Sequence, residues 1–284
     1  MKWSRTTQQD ENLRDARTGG GGGGGGGKVA GGVGGMGIIG LILYLLFGVG
    51  GGDIGVPTTG QLDAPSSYES AEATLDTEQE QFINFLLDDI QDFWVITFAE
   101  SGIPYNEASL TLFDTPIQTG CGGAYAEIGP HYCSLDDGIY LELGFFQQLR
   151  QMGGQGDFAQ AYVIAHEFAH HVQNELGISA WVREESARNP RIRNEMSVRL
   201  ELQADCLAGV WGRTIGDRND LEPGDIDEAL SAAAAVGDDR IQASTTGRVD
   251  PESWTHGSSD QRQSWFMQGY ETGDTEACDT FEGV

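Results

Sequence analysis

At 284 residues the chain could bury one or two ordinary cores, but its first 75 residues are poor core material, so one folded domain of about 200 residues is expected. Its 44 acidic residues against 16 basic ones give a formal net charge of -28, and only two of the basic residues are Lys. Such a surface repels phosphates rather than neutralising them, which excludes a nucleic-acid partner.

Residues 1–28 are polar and contain an unbroken run of nine glycines, Gly19 to Gly27. The backbone entropy of that run predicts a flexible tether. From Val29 to Gly52 no residue is charged, and those 24 residues, with "MGIIGLILYLLFGVG" at their heart, suffice for a transmembrane helix, which needs roughly 20. Lys2, Arg5, Arg14, Arg17 and Lys28 precede this segment, and no Lys or Arg recurs until Arg150. The positive-inside rule then places the N-terminus in the cytoplasm and the remainder outside, extracellular or periplasmic. No A-x-A cleavage pattern follows, which favours a retained single-pass anchor over a cleaved signal peptide. Residues 53–75, rich in Pro, Ser, Thr and acids, read as a linker.

The domain is expected over 76–284. A helical pattern opens it, with Phe82, Phe85, Leu86, Ile90, Phe93, Trp94 and Ile96 mostly at three- and four-residue spacing. Extended pieces are expected at "SLTLF" (109–113) and "GIYLEL" (138–143), the second announced by the turn signal "DDG". Between them "TGCGGAYAEIGPHYC" suggests an edge strand and a hairpin closed by Cys121 and Cys133, and an open edge can pair with an extended peptide. Helices are expected at 156–176, 191–213, 224–236 and 259–271, with Gly177 and Gly237 at C-terminal stops. The fold class is α+β, mostly helical with a small sheet.

The chemistry concentrates in "AHEFAHHVQNELG", residues 165–177. His166 and His170 are four residues apart, about 40° around a helix axis, so both imidazoles can reach one ion. Zinc suits that pair, since a catalytic site takes three protein ligands and keeps a position for water. Glu167 lies about 100° from His166, where it can take a proton from a zinc-activated water. His171 points away and reads as a bystander. "RLELQADCLAG" (199–209) offers the third ligand: Glu201 and Asp205 share one helical face, Glu201 to complete the metal's shell and Asp205 to hydrogen-bond a ligand imidazole. Cys206 is rotated about 140° from Glu201, a poor direction for a ligand. Glu175, Glu184, Glu185 and His256 are the reserve candidates.

Together "HEFAH", "ELQAD" about thirty residues later, a glycine-rich N-terminus before one apolar segment, and "THGSSDQR" near the C-terminus resemble the bacterial and archaeal neutral zinc metallopeptidase family. The resemblance covers most of residues 76–282. It implies a zincin-like domain of the gluzincin kind, with His166, His170 and Glu201 binding Zn(2+), Glu167 as general base and Asp205 behind the ligands. His256 could stabilise an oxyanion as the corresponding histidine does in related gluzincins; the alternative is that its loop only caps the last helix through Ser258 or Ser259.

Four cysteines permit three pairings. Cys121–Cys133, closing a short loop, and Cys206–Cys278, tying the C-terminal tail to the Glu201 helix, are expected in an oxidising compartment. The functional expectation is a membrane-anchored zinc peptidase hydrolysing peptide bonds of proteins or peptides outside the cytoplasmic membrane. Its rival is a catalytically silent zinc-binding scaffold, against which the intact Glu167 argues, since structural zinc needs no adjacent base.

Overall fold

The computed structural model describes residues 1–6, 8–17, 77–124 and 128–283. The expected span at 29–52, the glycine run and the linker at 53–75 lie outside them. Among the described residues no helix is long and apolar enough to cross a membrane.

Helix α1 (Glu78–Glu100) starts where its capping demands: Thr77 accepts from the Glu80 amide while the Glu80 side chain accepts from Thr77, satisfying two otherwise orphaned donors. Its face of Phe82, Ile83, Leu86, Leu87, Ile90 and Trp94 is buried in the core. A four-stranded sheet follows, in the order β1 (Leu13–Asp15), β2 (Ser109–Phe113), β6 (Gly138–Glu142), β5 (His131–Cys133). Strand β2 runs parallel to both β1 and β6, and β5 is antiparallel to β6. Every residue of β2 is buried, which is why it reads as a continuous run rather than an alternation.

The cysteine-bounded stretch is not one hairpin. Its first part, β4 (Gly122–Ala124), pairs with β3 (Ile117–Thr119) in a separate two-stranded sheet, and its last part is β5, an end strand of the main sheet. The Cys121–Cys133 disulfide joins the two sheets.

Helices α2 (Phe145–Met152), α3 (Asp157–Glu175), α4 (Ile178–Arg188), α5 (Arg193–Asp217), α6 (Asp225–Ala235), α7 (Asp238–Thr245) and α8 (Ser259–Thr272) complete the element order. Of these, α2, α4 and α7 were not expected. Helix α4 buries only Val182 and Ser186, too little for an apolar period to show.

Helices α5 and α8 cross at backbone contact. A Cβ on Gly209 would lie 2.1 Å from the Phe266 carbonyl oxygen, and one on Gly269 would lie 1.9 Å from the Cys206 carbonyl oxygen. Only glycine fits at either position. The Cys206–Cys278 disulfide locks the tail following α8 back onto α5. This close crossing brings α8 side chains down to the level of Asp205.

The described residues of 1–17, part of the expected polar and poly-Gly tail over 1–28, pack on the domain. Strand β1 pairs in register with β2, Leu13 against Leu110 and Asp15 against Leu112. Trp3 packs on Phe82 and Phe85 of α1 with ring centroids 5.2 and 6.2 Å apart. The physical reason is the open edge of a buried strand, which a polar sequence carrying one well-placed leucine can cover.

Candidate metal centre

Helix α3 is apolar over most of its length, with Phe158, Tyr162, Ile164, Phe168 and Val172 buried, so its few polar side chains have fixed directions. His166 and His170 lie one turn apart on it, their rings 4.8 Å between centroids and nearly perpendicular. Facing them on α5 is Glu201. His166 Nε2 is 3.1 Å from its Oε2 and His170 Nε2 is 3.5 Å from its Oε1. Ligand atoms of all three residues lie within 4.8 Å of one another.

The remaining ring nitrogens are braced from behind. His166 Nδ1–H donates to Asp205 Oδ1 at 2.9 Å, and His170 Nδ1–H donates to Gln173 Oε1 at 2.8 Å. The Gln173 amide is itself oriented by donating to the Leu200 carbonyl at 2.7 Å and to Gln203 Oε1 at 3.1 Å. With each Nδ1–H committed to its acceptor, each imidazole keeps its Nε2 for the space at Glu201, and presents a lone pair there once a bound cation displaces the Nε2 proton. Two imidazole nitrogens and one carboxylate, with acceptors fixing the tautomers, are the donor set zinc takes in a catalytic site.

Asp205 is fully buried and shared. Arg262 of α8 clamps it with Nε and Nη2, both at 2.8 Å, and the Tyr162 hydroxyl donates to it at 2.5 Å. Arg262 Nη2 also donates to the Tyr162 oxygen at 3.1 Å. Burial pushes the Asp205 carboxyl up, but Arg262 and His166 outweigh it and hold the group ionised. Burial likewise lowers His166, yet the Asp205 and Glu201 carboxylates raise it to about 9 in the metal-free site. His170 is raised, against burial, chiefly by Glu201. Glu201 in turn is held well below the usual carboxylate range: burial opposes this, and His170 and His166 overcome it. The site is poised to hold charge rather than to shed it.

Glu167 is 2 % exposed, and its carboxylate makes no hydrogen bond to another described residue. It is close enough for its charge to act on His170. His256 lies in the loop before α8, buried, and its Nδ1 is 3.2 Å from Asp238 Oδ1. The other Asp238 oxygen accepts the amides of Thr255, His256 and Gly257 at 2.8, 2.7 and 3.2 Å, so the loop is wound around one carboxylate. The field of His256 reaches Glu201 and helps to lower it. Ser258 does cap α8, in a capping box with Gln261. Capping and proximity to the metal residues therefore coexist in this loop.

His171 is buried, with Nε2–H donating to the Asn106 carbonyl at 2.7 Å and Nδ1 3.0 Å from the Tyr132 hydroxyl. Glu175 accepts from Asn106 and is not with the metal residues. Glu184 and Glu185 pair with Arg188 on α4. Sequence reasoning passed over Arg262, Tyr162, Gln173 and Asp238. Gln173 stood in the same helix at i+3 from His170, a readable spacing, whereas Arg262 and Asp238 reach the site only through the packing of α7 and α8. Val198 and Leu202 of α5 line a cleft of about 630 Å³ together with Trp254, Gln261 and Trp265, and none of His166, Glu167, His170 and Glu201 lines it.

The chain is 41 % identical over 290 residues to an Escherichia coli protein titled "Uncharacterized protein YpfJ", the alignment taking in 99 % of each chain. It is 48 % identical over 192 residues to the Mycobacterium bovis "Uncharacterized protein Mb2605", covering 63 % of this chain and 64 % of that one. No solved structure matches. The family model described as "Putative neutral zinc metallopeptidase" matches residues 1–281, and the chain belongs to that family.

Proposed function

We propose that this protein is a zinc-dependent peptidase that hydrolyses peptide bonds of proteins or peptides outside the cytoplasmic membrane. The observation that carries the proposal is the pairing of a braced ligand set with a nearby carboxylate: His166, His170 and Glu201 converge, and Glu167, whose charge acts on His170, makes no hydrogen bond among the described residues. Zinc, when bound, supplies a Lewis acid that polarises a substrate carbonyl and makes a water acidic enough to attack it near neutral pH.

Glu167 takes the proton of the attacking water on its carboxylate and returns it to the departing amine. His256, held at Nδ1 by Asp238, has Nε2 as the ring nitrogen left to donate to the developing oxyanion. Asp205, fixed by Arg262, keeps the His166 tautomer constant through the cycle. Strand β5, at the end of the sheet, is the proposed partner for an extended peptide. Two disulfides support an oxidising location for the domain.

The test is Glu167→Gln in the full chain, assayed for zinc content and for hydrolysis of a mixed peptide library. Zinc should remain stoichiometric while hydrolysis is lost, because an amide cannot take the proton. Hydrolysis equal to the parent's would remove Glu167 from the mechanism, and a zinc-loaded parent that cleaves nothing would establish the scaffold reading instead.

A further inference from the structure

The expected topology separates the first 28 residues from the domain by one membrane crossing, and its support was the cluster of cations before residue 29. The structure gives those cations other work. Arg5 pairs with Glu78 and Arg17 with Glu80, both on α1, and Lys2 Nζ donates to the Asn219 carbonyl at the end of α5. Three of the five basic residues in 1–28 are thus partners of the domain itself, which is what a strongly acidic surface asks of a segment that docks on it.

The docking extends well beyond charge. The Leu110 amide donates to the Asn12 carbonyl at 2.9 Å, the Ala16 amide to the Leu112 carbonyl at 2.8 Å, and the Asp10 amide to Asn84 Oδ1 at 2.7 Å. Leu13 is 3 % exposed and belongs to the main core. Strand β2 is buried along its whole length, and without β1 one of its edges would be bare. Residues 1–17 are therefore a structural part of the domain. The family match, which begins at residue 1, takes them in as well.

Strand pairing needs neighbours about 4.8 Å apart, while the hydrocarbon core of a bilayer is about 30 Å thick. A β1 on one side of a membrane cannot pair with a β2 on the other. We infer that residues 1–17 and the domain of 77–283 occupy the same compartment as one folded unit. With the disulfides of the domain formed, that compartment is the external one, and the N-terminal segment is there with it.

The test uses the full chain in membranes of a bacterial host, where the four native cysteines are bonded and silent toward thiol reagents. Single reporters Gln8→Cys and Glu282→Cys, both at exposed positions, are treated with a membrane-impermeant maleimide before and after permeabilisation. Both should label to the same extent in intact spheroplasts. One labelled and the other protected overturns the inference. A third variant, Leu13→Cys, reports seating: it should resist the reagent at least tenfold longer than Gln8→Cys until urea is added. Equal reactivity of the two would show an undocked segment and sink the inference even if the first pair agreed. None of these readings depends on hydrolytic activity.

Discussion

Helix α3 carries two clusters of histidine and acid, and only one has the form of a metal centre. His166, His170 and Glu201 form the first; Asp137, His171 and Glu175 form the second, and in each the potential ligand atoms lie within 4.8 Å of one another. The difference is in which atoms are already spent. In the first cluster both Nδ1 atoms are braced and both Nε2 atoms face Glu201. In the second, both nitrogens of His171 are engaged, by Asn106 and Tyr132, and Asp137 is bonded to Tyr132 and Asn174. Charge divides them too: burial lowers His171 and keeps it neutral, while acids raise His166 to about 9. Residue type assembles a cluster, but the orientation of its unspent lone pairs decides whether an ion can sit there.

The largest expected effect follows from neighbouring residues of opposite fate. His170→Ala, or His166→Ala, deletes a ligand and should abolish stoichiometric zinc and hydrolysis together. His171→Ala should keep zinc, measured by metal analysis after dialysis, while lowering stability by about 1–3 kcal/mol in urea unfolding, because buried partners lose their hydrogen bonds. Zinc lost from the His171 variant and kept by the His170 variant would reverse the two assignments.

Next in size is the division of labour between Glu201 and Asp205. Glu201→Ala should collapse zinc affinity. Asp205→Asn keeps an acceptor for His166 while discarding the charge, and should cost roughly 10 to 100-fold in affinity. Arg262→Met strands the buried Asp205 carboxylate and should destabilise the fold by about 3–5 kcal/mol, with Arg262→Lys restoring part of this but not the bidentate clamp. A rise in the zinc-loaded KM alone, with stability and zinc affinity unchanged, would show that Arg262 touches substrate instead.

Much of this centre was legible because it is local. His166, Glu167 and His170 sit within one turn, and Glu201 and Asp205 share a face one turn apart, so helical geometry alone brings each set together. The long helices were readable for the same reason: their buried faces repeat at the helical period. What was missed arrives through tertiary contact. Arg262 reaches Asp205 only because Gly209 and Gly269 let two helices touch, and Asp238, at the start of α7, reaches His256 in the loop that precedes α8. Leu13–Asp15 is too short and polar to announce a strand, and it becomes one because β2 offers an open edge.

A pH dependence of opposite sign in the two metal states should follow. In the metal-free protein His166 is raised from 6.5 to about 9, so the stability it contributes is complete below pH 6.5 and is lost as pH rises toward 9. Zinc needs the neutral ring, so zinc affinity should instead climb over that window, by up to about tenfold per pH unit for each proton displaced. Thermal unfolding with and without zinc across pH 6.5 to 9 checks both slopes; parallel slopes would place the shifted proton elsewhere.

The smallest effect concerns Gln173, which does for His170 what Asp205 does for His166. Its Oε1 accepts from Nδ1–H at 2.8 Å, close to the 2.9 Å of the carboxylate, but an amide acceptor carries no net charge. Charge-assisted hydrogen bonds are roughly twice as strong as neutral ones, so losing the amide should matter less than losing the charge of Asp205. Gln173→Leu keeps the bulk of the side chain and also frees the Leu200 carbonyl and Gln203, all within the buried face between α3 and α5. Zinc affinity, measured by competition with a chelator, should fall by about tenfold, at the low end of what such supporting partners contribute. Asp205→Asn measured beside it should fall further. If Gln173→Leu proves the more damaging, then His170 rather than His166 is the ligand whose orientation limits the site, and the electrostatic weight given to the Asp205–Arg262 pair is misplaced.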